Sequence, residues 1–275
     1  MDYFLTNIKV NKVFHLENFN IPIDEKEKKH LIITGKNGSG KTVVLNDIAS
    51  QLNGIKNRYL PNAATTLFFN RKFNSETIKN ENILLAFYEA ERLSLMNEPI
   101  SPIKPNLDQV YHIEDKKANE FLNFLVDYKI QEALARNEQQ IEDAEKINKW
   151  FIEFEKLLQS IFEDGLLKLI FNYKDYSFKI QTAGKEFKFT ELSAGYSAVI
   201  DIVTDLILKM QTPDKLIRAY DKQGIVLIDE IETHLHLGLQ RIILPLLTHI
   251  FPNIQFIVTT HSPFILNSLP NAVAF

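Results

Sequence analysis

No cysteine occurs among the 275 residues. That excludes disulfides, thiolate zinc sites and cysteine nucleophiles, and it fits a reducing, cytoplasmic setting. No apolar run reaches the roughly 18 residues of a membrane-spanning helix. The opening MDYFLTNIKVNKVF lacks the basic-then-apolar pattern of a leader, so no membrane association is expected. Positive charge is not in excess either: 31 Lys and Arg stand against 35 Asp and Glu, a net charge of −4. A chain gripping nucleic acid over its whole surface would be basic, so such contact would need a local patch. Glycine is missing from the whole of 76–163, where charges and long side chains dominate. From Ile147 the apolar positions Ile147, Trp150, Phe151, Phe154, Leu157, Leu158, Ile161 and Phe162 recur at three- and four-residue steps. Residues 76–163 are read as a helical insertion, either a lobe packed on its own core or an arm for a partner.

What is present is an ordinary globular composition, 45% hydrophobic and 24% charged. The length suits one α/β domain spanning 1–275 and carrying that insertion. Residues 3–23 alternate with period two and predict antiparallel edge strands near the N-terminus. HLIIT predicts a buried central strand ending at Thr34, and VVLNDIASQLN beyond it has helical spacing. Leu67-Phe68-Phe69 is a second short strand candidate. Over 166–190 the period returns to two: Leu167, Leu169 and Phe171, then Tyr176, Phe178 and Ile180, then Phe187 and Phe189, separated by turns at 172–175 and 183–185. That is a β-meander. IVLI ending at Ile228 and IQFIVTT ending at Thr260 restore buried parallel-type strands.

Between HLIIT and the helix beyond it stands Gly35-Lys36-Asn37-Gly38-Ser39-Gly40-Lys41-Thr42, a complete G-x-x-x-x-G-K-[ST] phosphate loop. Its glycines let the backbone curl so that successive N–H groups face phosphate oxygens, and the next helix adds its positive end. The expected ATP cradle is Gly35, Asn37, Gly38, Ser39, Gly40, Lys41, Thr42 and Val43. Lys41 supplies a point charge to the β- and γ-phosphates, and the Thr42 hydroxyl ligates Mg²⁺. IVLI runs into Asp229-Glu230. Asp229 at a strand's carboxyl end is placed to hold Mg²⁺, and Glu230 to polarise the attacking water as general base. A solvated strand end would read the same way in isolation; the phosphate loop upstream decides between them. His261 follows the next strand, where it could sense a γ-phosphate or be an ordinary surface residue. His234 and His236 have a spacing open to metal on a strand, but they fall in a loop-to-helix stretch.

Leu192-Ser193-Ala194-Gly195-Tyr196-Ser197 resembles the L-S-G-G-Q signature of ABC ATPases. Together with GIVLIDEIETHLH and FIVTTHSPFIL, the chain resembles the soluble ABC-type ATPases of the SMC, RecF and OLD group, and within it the AAA-type ATPases of bacterial anti-phage systems. The resemblance implies a P-loop head with a mainly parallel central sheet, N-terminal antiparallel strands and a helical insertion. It implies a homodimer in which Ser193 and Gly195 of one copy meet the γ-phosphate held by Lys41 of the other. His261 would be the switch histidine, and Ile231, Glu232 and Thr233 a dimer-contacting loop. In the same family, the paired histidines have no metal role. Three departures stand out: Ala194 for glycine, Tyr196 for glutamine, and no loop glutamine after Leu67-Phe68-Phe69, where Asn70 and Arg71 follow. Arg71 is either a phosphate contact or a surface residue. The chain stops at Phe275, before the point where OLD-type proteins carry a nuclease. It is thus expected to be an ATPase subunit controlling a separate nuclease or toxin, or a piece of a longer protein. The alternatives are a DNA-repair ATPase of SMC or RecF type and a transporter ATPase subunit.

Overall fold

The computed structural model describes residues 2–59, 64–92, 96–107, 111–211 and 220–275. They form two compact units, one of Met1–Arg92, Val110–Asp115 and Asp221–Phe275, the other of Leu93–Gln109 and Lys116–Tyr220. The first unit opens with β1 (Leu5–Val13), β2 (Leu16–Pro22), β3 (His30–Thr34), α1 (Lys41–Asn57), β4 (Thr65–Phe69), α2 (Ser75–Asn80) and β5 (Leu84–Tyr88). The second unit holds α3 (Phe121–Asn137), α4 (Ile141–Phe162), β6 (Lys168–Asn172), β7 (Ser177–Thr182), β8 (Lys185–Lys188) and α5 (Ala194–Met210). The chain then completes the first unit with β9 (Gly224–Ile228), α6 (Leu237–Ile250), β10 (Ile254–Thr260), α7 (Pro263–Leu266) and β11 (Ala272–Ala274).

The central sheet of the first unit has the order β11-β3-β10-β9-β5, and every pairing in it is parallel. Its strands explain why. LLAFY, GIVLI and IQFIVTT are buried at every position, as strands covered on both faces must be. Gly224 opens β9 because a β-carbon there would stand 2.2 Å from the carbonyl oxygen of Leu84 on the neighbouring strand. A second, antiparallel sheet has the order β2-β1-β4. The fully buried Gln255 of β10 ties the two together. Its side-chain amide accepts from Leu5 N (2.7 Å) and donates to Leu5 O (3.0 Å) and Lys29 O (2.7 Å), extending the hydrogen bonding of β1 as another strand would. Between the sheets lies a core that includes Leu5, Ile8 and Val10 from β1, Leu31 and Ile33 from β3, and Val44, Leu45 and Ile48 from α1.

The second unit is organised by the aromatic face of α4. Trp150 and Phe154 stack with centroids 5.4 Å apart, Trp150 meets Phe124 and Tyr128 of α3 edge-on, and Phe151 stacks on Phe178 of β7. β6, β7 and β8 form the antiparallel meander.

Two expectations change. Residues 76–163 are not helical throughout: β5 lies among them and is an edge strand of the central sheet, beside β9, while 93–95 and 108–110 lie outside the described residues. Leu67-Phe68-Phe69 is indeed a strand, but it pairs with β1 in the antiparallel sheet. The loop that leaves the sheet next to Asp229 is therefore not at Asn70-Arg71. It is the segment after β5, Glu89 to Arg92. Asn70 instead closes the edge of β1, accepting from Phe4 N and donating to Asp2 O. Arg71 lies over the Tyr3 ring.

Candidate functional site

β3, β10 and β9 run side by side and parallel, so the loops after Thr34, Thr260 and Ile228 leave the same edge of the sheet. The first is the phosphate loop. Gly35, Gly38 and Gly40 all take positive φ (149°, 77° and 95°), and Gly40 is the N-cap of α1. Lys41 is buried, its ammonium donating to the carbonyls of Gly35 (3.1 Å) and Lys36 (3.2 Å). Ser39 Oγ is buried without a hydrogen-bond partner among the described residues. Asn37 and Gly38 are exposed, and Val43 faces outward on the first turn of α1. The hairpin between β1 and β2 leans on this loop: a β-carbon on Gly40 would stand 2.9 Å from Leu16 Cδ1. At the hairpin's tip the exposed Phe14 ring lies edge-on to His15.

Thr42 reaches across to the second loop. Its Oγ1 donates to Asp229 Oδ1 at 3.2 Å. Asp229 is buried, and the same oxygen accepts from Thr259 Oγ1 at 2.5 Å. That threonine also accepts from Glu230 N at 2.7 Å. Glu230 adopts φ 41°, a left-handed conformation rare for glutamate, which turns the chain sharply straight after the strand. Its side chain is 40% exposed, and Oε1 lies 3.9 Å from His261 Nε2, while Oε2 accepts from Thr233 Oγ1. A hydroxyl and a carboxylate oxygen brought together beside a phosphate loop form a hard-oxygen donor set that fits Mg²⁺.

In the loop 231–233, Ile231 is buried while Glu232 and Thr233 are half-buried. Ile231 is 1% exposed, so it belongs to the chain's own core and not to a dimer face. Glu232 accepts from Thr260 Oγ1 (2.7 Å) and His261 N (2.5 Å), tying this loop to the end of β10. His236 Nδ1 accepts from Leu239 N, capping α6. The structure thus brings together Lys41, Thr42, Asp229, Glu230 and His261. Ser193 and Gly195 belong to the second unit. Ser193 is the exposed N-cap of α5 without a side-chain capping bond, and Gly195 is buried in the first turn. Tyr196 stacks on Phe162 at 4.4 Å, which accounts for an aromatic in place of glutamine.

Two residues in this site escape the sequence reading. Thr259 carried a usable signal, a hydroxyl in a buried strand. Arg92 carried none. Its Nη1 donates to Glu89 O (3.1 Å) and Asp229 O (2.9 Å), and its Nη2 to Glu230 O (3.0 Å) and Ile231 O (3.3 Å).

Residues 70–267 match the family described as "AAA domain, putative AbiEii toxin, Type IV TA system". The chain belongs to this family. It is 26% identical over 300 residues to the "Septu protein PtuA" of Bacillus mycoides (strain KBAB4), a match covering 97% of this chain and 39% of that protein. It is 32% identical over 136 residues to the "Retron Ec83 probable ATPase" of Escherichia coli, covering 46% of this chain and 24% of that protein. The chain thus spans well under half the length of the curated relatives it matches. Its fold is that of the "SMC head domain from Thermotoga maritima", with a TM-score of 0.50 at 13% identity over 98% of this chain and 93% of that one. The fold is accordingly a P-loop ATPase head with a mainly parallel central sheet and antiparallel N-terminal strands. Among the described residues no helix is long and apolar enough to cross a membrane.

Proposed function

We propose that this chain binds Mg-ATP in the cradle 35–43 and hydrolyses it, and that two copies close head-to-head over two nucleotides. We further propose that this cycle controls a separate nuclease or toxin effector in a phage-defence system. The carrying observation is the 3.2 Å contact between Thr42 and Asp229, which joins the phosphate loop to the acidic pair at one edge of the sheet. The wider role is supported by the Septu and retron relatives.

The residues divide the work. Lys41, now on its own loop carbonyls, meets the phosphates when they enter, and the loop N–H groups and the N-terminus of α1 take up the remaining charge. Thr42 and Asp229 would hold Mg²⁺, which would supply neutralisation of the phosphate charge. Glu230 accepts the proton of the attacking water as its oxygen bonds to the γ-phosphorus and the bond to the β–γ bridging oxygen breaks. His261, within 3.9 Å of that carboxylate, stands where the γ-phosphate would be felt. The open N-terminus of α5, with Ser193 and Gly195, caps the nucleotide of the second copy. ATP then favours the dimer because only the dimer contacts the γ-phosphate from both sides.

The test is the solution mass of wild type and Glu230→Gln with and without Mg-ATP. ATP should trap the variant, which binds but cannot hydrolyse, as a dimer. A variant that stays monomeric at saturating ATP sinks the head-to-head arrangement for this chain. A variant that still turns ATP over sinks the role of Glu230.

A further inference from the structure

Glu230 has a conformation that needs holding. Its φ of 41° turns the backbone against its own β-carbon, and its side chain is 40% exposed with one long contact from Thr233 Oγ1 at 3.4 Å, so its own packing does not by itself enforce the turn. The main chain is held instead. On one side Thr259 accepts from Glu230 N through its hydroxyl and from Ile231 N through its carbonyl. On the other side the Arg92 guanidinium donates to the carbonyls of Asp229, Glu230 and Ile231 in succession.

An arginine beside Asp229, Glu230 and Glu232 would ordinarily form a fork with a carboxylate. Here its four hydrogen bonds among the described residues all end on main-chain carbonyls, the fourth being that of Glu89 at its own end of the loop. Burial lowers its pKa to about 10, against the pull of the carboxylates of Glu232, Asp229 and Glu230, so it remains charged at neutral pH. Three successive carbonyls are a match for a planar two-pronged donor. A lysine ammonium, a point donor on a flexible stem, does not match them.

We propose that Arg92 is a positioning residue for hydrolysis: its fork on the carbonyls of 229–231 fixes the left-handed turn that aims the Glu230 carboxylate. This rests on the reading of Glu230 as the general base. Arg92 itself touches no substrate. Its removal leaves the phosphate loop intact and loosens the base, so binding and turnover separate. Arg92 is also the last residue of the first unit before the chain passes into the second. The segment that leaves the nucleotide-binding unit is thereby fastened to the backbone carrying the base.

The test uses the full chain with Arg92→Lys, Arg92→Gln and Glu230→Gln. Without nucleotide, amide hydrogen exchange of the peptide spanning 229–233 should rise about tenfold in both Arg92 variants, with the 35–45 peptide unchanged. With Mg-ATP, kcat per titrated nucleotide-binding site should fall about a hundredfold while KM shifts less than about threefold. Counting only binding-competent sites keeps loss of folded protein from imitating the effect. Exchange at 229–233 equal to wild type overturns the proposal. So does wild-type kcat in the Arg92 variants while Glu230→Gln is inactive. Full turnover in Glu230→Gln, by contrast, overturns the reading of the base on which the proposal stands.

Discussion

Thr42 and Asp229, 187 positions apart, share a hydrogen bond of 3.2 Å, and the same carboxylate oxygen is held by Thr259. Two chain segments that follow different strands of the parallel sheet therefore present their oxygens to one point beside the phosphate loop.

Replacing Thr42 by alanine removes one of those oxygens and leaves the glycines and Lys41 untouched. Hydrolysis should fall about a hundredfold and require more Mg²⁺ for half-maximal rate, whereas Thr42→Ser should retain most activity. Turnover measured across a Mg²⁺ titration decides it; an unchanged Mg²⁺ requirement in Thr42→Ala counts against the assignment.

Thr259→Val keeps the shape and deletes the hydroxyl. It leaves the buried Asp229 carboxylate without one donor and Glu230 N without its acceptor, so unfolding stability should drop by about 2 kcal/mol. Turnover should drop with it, by about tenfold or more. Denaturant unfolding and ATPase assays on Thr259→Val and Thr259→Ser, side by side, separate the hydroxyl from the methyl.

His30 is buried on β3, accepts from Phe256 N through Nδ1, and is pushed down to about pKa 4, chiefly by burial and further by Lys28. Its unfolded value is near 6.5. The folded state holds the neutral ring, so its stability is fully present above about pH 6.5 and is lost as pH falls toward 4, by about 3 kcal/mol in total. Urea unfolding at pH 7, 6, 5 and 4 should show this slope for wild type. His30→Gln, with no group to titrate there, should lack that component.

Gly224→Ala places a methyl against the Leu84 carbonyl. Strands β9 and β5 must part, and stability should fall by about 2–3 kcal/mol. A melting temperature within a degree of wild type would contradict the close approach.

The phosphate loop and acidic pair were legible because each is a short local pattern attached to an apolar strand, and α4 because its periodicity from Ile147 to Phe162 runs for about four turns. β5 was not. LLAFY is a short apolar run inside a long stretch without glycine, and periodicity cannot separate a buried strand from a helix over so few residues. Missing it displaced the loop beside Asp229 from 89–92 to Asn70-Arg71. Arg92 had no signal at all, since an arginine bonded to main-chain carbonyls 137 to 139 positions away leaves no residue-type pattern. Thr42, Asp229 and Glu230 are recognisable by what they are; Arg92 only by where the fold puts it.

The strand order carries a consequence for biosynthesis. Among the described residues β3, which presents the phosphate loop, pairs only with β10 and β11, drawn from residues 254–260 and 272–274. On the ribosome, at roughly 5–20 residues per second, that strand waits on the order of tens of seconds for either neighbour. For that interval HLIIT has no partner in its sheet, and a nascent chain halted short of residue 254 carries the nucleotide motif without the site. Competence to bind nucleotide is thus a late event in synthesis, and the apolar strands already made need shielding until it arrives.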